Sequence, residues 1–227
     1  ADEGDSLFVY SGAGLKGPMS EIGYQYENET GTAIEYTFAG AGTLVSQMEI
    51  SRKGDVLVSG GTPDYTIAMN KSLVEEPQYV AYHVPVIAVQ KGNPHNIKSV
   101  KDFTQPGLKV ALGDVNATAI GRSGEKLFNK LGIAEEIGKN IVMRGPTINE
   151  VTTAMEMGQA DVSLLTMDQV KSDKIEQIPL PDEESLALIV PVGITTCTTQ
   201  PEEAQNFGDF VASDEGKAIF EKHGFPS

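Results

Sequence analysis

Residues Ser11–Pro18, reading Ser-Gly-Ala-Gly-Leu-Lys-Gly-Pro, constrain this chain more than any other stretch. Leu7–Tyr10 before them is a short apolar run that predicts a buried strand. After them Leu15, Met19, Ile22 and Tyr26 recur at steps of four, three and four, predicting a helix with one buried face. Pro18 behind Gly17 predicts the first helical position, where a missing N–H leaves nothing unpaired. A strand ending in a glycine-rich bend that opens a helix aims backbone N–H groups and the positive helix end at one spot. That is a place for an anion. Any strand-to-helix turn also uses glycine, so the weight rests on recurrence.

The arrangement does recur. Strand Ile34–Phe38 runs into Ala39-Gly40-Ala41-Gly42-Thr43 and a helix from Leu44 to about Ser51. Strand Asp55–Ser59 precedes Thr62-Pro63-Asp64, with Thr62 expected as N-cap and the helix running to about Glu75. A long β-rich run, Tyr79–Gln90, ends at Lys91-Gly92-Asn93-Pro94. The pattern then restarts: helix Ser99–Phe103, strand Lys109–Leu112, the bend Gly113–Ala119 and helix Ile120–Leu131. Strand Ile141–Arg144 meets the capping box Thr147-Ile148-Asn149-Glu150, whose helix runs to Gly158. Strand Val162–Thr166 ends at a helix start near Met167-Asp168. Strands Ile175–Pro181 and Leu186–Thr196 and helices Pro201–Val211 and Asp214–Lys222 close the chain.

Strands alternating with helices predict parallel sheets covered on both faces. The two longest strands divide the chain, so we expect an α/β fold of two doubly wound lobes joined by two crossing hinge strands. Residues 1–82 with 193–227 would form one lobe and 83–192 the other. Ligands of such sheets sit at the carboxyl ends of strands. An interlobe cleft would be lined by Ser11–Leu15, Gly40–Thr43, Ser59–Thr62, Thr118–Gly121, Thr147–Asn149 and Thr166–Asp168.

Composition narrows the function. A chain of 227 residues with 40% hydrophobic content can bury a core. Seventeen basic against 32 acidic residues, formally −15, argue against nucleic acid. The same charge would not steer an anion from afar, so an anion site must work through short-range hydrogen bonds. One cysteine, Cys197, leaves no internal disulfide and no cysteine metal cluster. The opening Ala-Asp-Glu-Gly-Asp reads as a mature or trimmed end.

The order of motifs resembles the periplasmic molybdate-binding proteins of ABC transporters, the type II solute-binding fold, over nearly the whole chain. Phe8-Val9-Tyr10-Ser11-Gly12-Ala13-Gly14-Leu15, Phe38–Leu44, Asp55–Ser59, Lys91–Pro94, Val110–Asp114 and Ser213–Phe225 carry the likeness. The resemblance implies an exported monomer without cofactor. It would capture an oxyanion, molybdate or tungstate, between closing lobes and deliver it to an ABC permease. Its place would be periplasmic or extracellular, with an anchor through a removed N-terminal segment left open. The implied ligand-holding residues are Ser11, Gly12, Ala13, Gly14, Gly40, Ala41, Gly42, Thr43, Thr118, Ile120, Arg122, Ile148, Asn149 and Thr166. Relatives place hydroxyl or amide side chains in the first two bends, where this chain has Gly14 and Ala41. Ile120 and Ile148–Asn149 match backbone contacts, and Thr166 stands where the best-known members have a tyrosine. Ser11, Thr43 and Thr166 would compensate in part. The pocket should be wider than the family's, which admits a larger organic anion or small peptide. Arg122 either reaches the ligand or pairs at the surface with Glu125 or Asp114.

Other chemistry is weaker. His83, His95 and His223 are scattered without metal spacing. An enzyme would need Cys197 activated by His83, or Asp114 and Asp168 acting as a carboxylate pair. A buried thiol and two caps are the simpler readings, so the chain is expected not to be an enzyme. Met155, Met157 and Met167 read as core packing. A regulator's effector lobe is disfavoured by the lack of any helix-turn-helix segment or basic patch.

Overall fold

A computed structural model describes residues 6–186 and 188–227. The opening five residues and Ala187 lie outside the described part. The chain divides into one compact unit of Ala1–His83 with Leu188–Ser227 and a second of Val84–Ala187.

The first unit is a five-stranded sheet of β1 (Ser6–Gly12), β2 (Ala33–Ala39), β3 (Val56–Val58), β4 (Gln78–His83) and β10 (Leu188–Ile194), ordered β2-β1-β3-β10-β4. β1 runs parallel to β2 and β3, whereas β10 is antiparallel to β3 and β4. Side chains alternate across the pleat and separate two cores. Leu7, Val9, Val56 and Val58 face α1 (Lys16–Thr30), α7 (Pro201–Val211) and α8 (Asp214–Lys222), meeting Met19, Ile22, Phe207 and Phe220. Tyr10 and Leu57 face the other way, onto Leu44, Val45 and Met48 of α2 (Ala41–Ser51) and Tyr65 of α3 (Thr62–Asn70).

The second unit repeats the topology with β5 (Pro85–Gln90), β6 (Val110–Gly113), β7 (Ile141–Gly145), β8 (Val162–Thr166) and β9 (Ile175–Ile178), ordered β7-β6-β8-β5-β9. β6 is parallel to β7 and β8, and β5 is antiparallel to β8 and β9. Helices α4 (Ala119–Lys130), α5 (Ala134–Gly138) and α6 (Ile148–Glu156) accompany it, and Phe103 and Phe128 are buried with ring centres 6.4 Å apart.

Several expectations change. The sheets are mixed, not parallel: β10 and β5 each enter a sheet from the other unit, so no crossover helix imposes their direction. Tyr79–Gln90 is two strands interrupted at Val84, because Pro85 has no N–H to continue a ladder. The chain returns at 187–188 rather than after 192, since Leu188 already pairs with His83 and Val192 with Val58. Helix α3 stops at Asn70, and Gly61 rather than Thr62 is its N-cap. Helix α1 opens at Lys16, behind a 3-10 turn at Ala13–Leu15, which puts Pro18 at its third position.

Candidate functional site

In the first unit the three parallel strands end together. Ser11 lies opposite Phe38 and Val58, and Gly12 opposite Ala39, so the bends after β1, β2 and β3 share one sheet edge. A methyl on Gly12 would lie 3.3 Å from Gly60 N, so the first bend rests directly on the third. The helices that follow have no side-chain cap: Gly12 precedes the 3-10 turn, Gly40 precedes α2 and Gly61 precedes α3. Helix α2 begins at Ala41, three residues earlier than the pattern predicted. Ala41, Gly42 and Thr43 are therefore its first turn, whose N–H groups have no partner within the helix. Gly14 is half-buried and Thr43 exposed. Ser11 is fully buried and its hydroxyl donates to Gly12 O at 3.2 Å.

The second unit builds its edge differently. Gly113 lies opposite Gly145, bringing the ends of β6 and β7 together, and β8 runs alongside. Thr118 Oγ1 accepts from Gly121 N at 3.0 Å and donates to Asp114 O at 2.8 Å. That hydroxyl caps α4, and its proton is not left for a ligand as the pattern suggested. Asp114 Oδ1 accepts the amides of Asn116 and Ala117 at 2.8 and 2.9 Å, closing a turn. Ile120, buried, is the second residue of α4, so its amide belongs to the unpaired first turn. Thr147 Oγ1 caps α6 through Glu150 N at 3.3 Å, and Ile148 is its first residue. Asn149, exposed, accepts from Gln169 Nε2 at 3.2 Å, which ties the second bend to the 3-10 turn Met167–Gln169 after β8. Thr166 ends β8, fully buried.

Arg122 is half-buried and donates Nη2 to Asn116 O at 3.1 Å; desolvation lowers its pKa from the usual guanidinium value. Glu125, weighed as its partner, is held by Arg144 at 3.1 Å instead, and Arg144 also donates to Gly113 O at 2.9 Å. Arg144, Gln169 and the Gly60–His83 contact, 2.8 Å from Gly60 O to Nδ1, were missed by sequence reasoning. A glycine pair directly after a strand was the one available signal for the last.

The rival constellations come apart. Cys197 Sγ lies by Gly54 O and Thr195 Oγ1, beyond the last residue of β10. His83 pairs with the first residue of β10, and seven residues of strand separate the two by roughly 20 Å. A thiol–imidazole couple is excluded by that separation. His95 pairs with Asp161 and His223 with Glu21. Met155 is core, but Met157 and Met167 are exposed, which corrects their reading as packing residues. Among the described residues no three His, Cys, Asp or Glu side chains converge as metal ligands. No described helix is long and apolar enough to cross a membrane.

The chain is 30% identical to a binding protein of Haemophilus influenzae, over 96% of this chain and 90% of the relative. It is 26% identical to the molybdate-binding protein ModA of Mycobacterium tuberculosis, over 97% of this chain and 84% of that one. The fold matches the periplasmic binding protein AfuA from Actinobacillus pleuropneumoniae, solved with exogenous fructose 6-phosphate, at a TM-score of 0.87 and 15% identity. That match covers 98% of this chain and 83% of the other. A family model described as bacterial extracellular solute-binding protein matches residues 7–226. The chain belongs to the family of bacterial extracellular solute-binding proteins.

Proposed function

We propose that this protein captures a small oxyanion of the molybdate or tungstate type outside the cytoplasm and hands it to an ABC permease, without catalysing a reaction. The observation that carries this is the first unit's sheet edge, where three glycine-led bends leave helix first turns without side-chain caps. Neutral amide dipoles at helix starts hold a divalent oxyanion at close range without a counter-charge. That suits a chain of formal charge −15, which cannot attract the anion from a distance. The molybdate-binding relative supports the oxyanion class.

A second reading, a larger phosphorylated or carboxylated organic anion, is favoured by Gly14 and Ala41, which offer amides but no side-chain donors and leave more room. The sugar phosphate in the AfuA structure belongs to that chemistry. Melting temperatures with molybdate, tungstate, sulfate, fructose 6-phosphate and small carboxylates separate the two. At a hundredfold excess over Kd, ligand adds about 2.7 kcal/mol of apparent stability. A shift with molybdate or tungstate alone supports the first reading. A shift only with an organic anion supports the second, and no shift with any of them overturns both.

A further inference from the structure

We infer that His83 is a positioning residue for the anion site: by holding the Gly60 carbonyl it locks the Gly60–Gly61 peptide, and with it the third bend on which the first bend rests. His83 Nδ1 lies 2.8 Å from Gly60 O. A carbonyl only accepts, so Nδ1 carries the proton. The imidazole is 5% exposed and leans on the Phe225 ring, centres 4.9 Å apart, while Phe225 packs edge-on against Phe220. Tyr82, one residue earlier, donates its N–H to Pro226 O at 2.6 Å. The donor is therefore held by the closing segment of the chain and does not swing freely.

The acceptor needs such a hold. A trans peptide points its C=O and N–H in opposite directions, so fixing one fixes the other. Between two glycines no Cβ opposes rotation of the peptide plane. Were this peptide to turn over, Gly61 N–H would leave Ser59 Oγ and Gly60 O would take its place. Ser59 Oγ does not prevent that alone: it donates to Gly61 O at 3.0 Å and accepts Gly61 N only at 3.5 Å. Because Gly12 abuts Gly60 N, a turned peptide would also disturb the first bend. His83 is moreover the last residue before the chain enters the second unit, so displacement at 83–84 is felt at the bend through the His83–Gly60 hydrogen bond.

This rests on the anion-capture reading, and the test separates the two. Calorimetric titration with molybdate and with fructose 6-phosphate is run on the wild type, His83→Leu and His83→Asn, whose amide nitrogen can occupy the place of Nδ1. His83→Leu should bind whichever probe the wild type binds about tenfold more weakly, one hydrogen bond's worth, with His83→Asn largely restored. Equal affinity in wild type and His83→Leu overturns the lock. A methyl on Gly60 would meet His83 Nδ1 at 3.7 Å, an ordinary contact, so Gly60→Ala fits and stiffens the peptide. Adding it to His83→Leu should recover affinity, which lost packing alone would not allow. If the wild type binds neither probe, ligand-free amide exchange decides: faster exchange at Gly61 in His83→Leu upholds the lock, and unchanged exchange overturns it.

Discussion

The amide of Met167, the first residue after β8, donates to the carbonyl of Val84 at 2.8 Å. Val84 follows His83, whose ring holds the bend after β3. The two residues at which the chain first passes between units are thus each bonded to the bend behind the third parallel strand of their own unit. In both sheets that strand is the innermost of the parallel three. The Met167 bond can be removed alone. Thr166 is extended, as a residue before proline must be, and a 3-10 start tolerates proline, so Met167→Pro deletes the N–H with little strain. Urea denaturation should show a loss of about 1–2 kcal/mol from the orphaned carbonyl, with the fold kept. No loss would mean that water replaces the bond.

Thr118 tests whether the second unit's hydroxyls serve the ligand or the fold. Its Oγ1 caps α4 and donates to Asp114 O. Thr118→Val keeps the shape and removes both bonds. Stability should fall by about 1–2 kcal/mol, the usual cost of losing a threonine cap. The affinity of the folded protein for its anion should stay within a few-fold by calorimetry. A collapse of affinity with stability intact would return Thr118 to the binding residues.

Alkaline pH should expose two desolvated phenols, one buried and one half-buried. Tyr36 donates to Met19 O at 2.5 Å and Tyr65 to Glu75 O at 2.6 Å, and desolvation raises both pKa values well above the ordinary phenol value. The unfolded chain ionises near pH 10 while the folded chain stays protonated. The stabilisation is therefore complete below pH 10 and lost as pH rises. Tyr36 contributes a slope of at most about 1.4 kcal/mol per pH unit. Tyr36→Phe should flatten the decline in denaturant midpoint above pH 10, and an unchanged slope would place the ionisation elsewhere.

Much of this fold is legible in the residues. Val162–Thr166, Pro201–Val211 and Asp214–Lys222 have the bounds their patterns predict, because a short run of Val and Leu, a proline start and a serine cap are local signals. The break at Val84 is not legible as a hinge. A β-rich run of twelve residues reads as one strand until Pro85 is weighed as a missing donor. Strand direction is equally hidden, since β5 and β10 look like any other buried strand. At the site, the positions of the bends follow from glycine after a strand, but the use of each hydroxyl does not. Ser11 and Thr118 look like ligand donors in sequence and turn inward in space. His83 reaches Gly60 across 23 positions, a relation that no local pattern encodes.

Gly40 offers the most direct test of the uncapped edge. It is the N-cap of α2 in extended backbone, φ −63° and ψ 151°, a conformation that serine adopts readily. Gly40→Ser would supply an oxygen to the amides of the first turn, the same amides proposed to hold the anion. A serine cap improves on glycine by a few tenths of a kcal/mol, so the ligand-free melting temperature should hold or rise slightly. The gain in melting temperature with molybdate, or with whichever anion stabilises the wild type, should shrink, because the first turn then satisfies itself. Stability and binding would move in opposite directions, which general damage to the unit cannot produce. An undiminished ligand shift in Gly40→Ser would remove the α2 amides from the site and leave the bends after β1 and β3 to hold the anion.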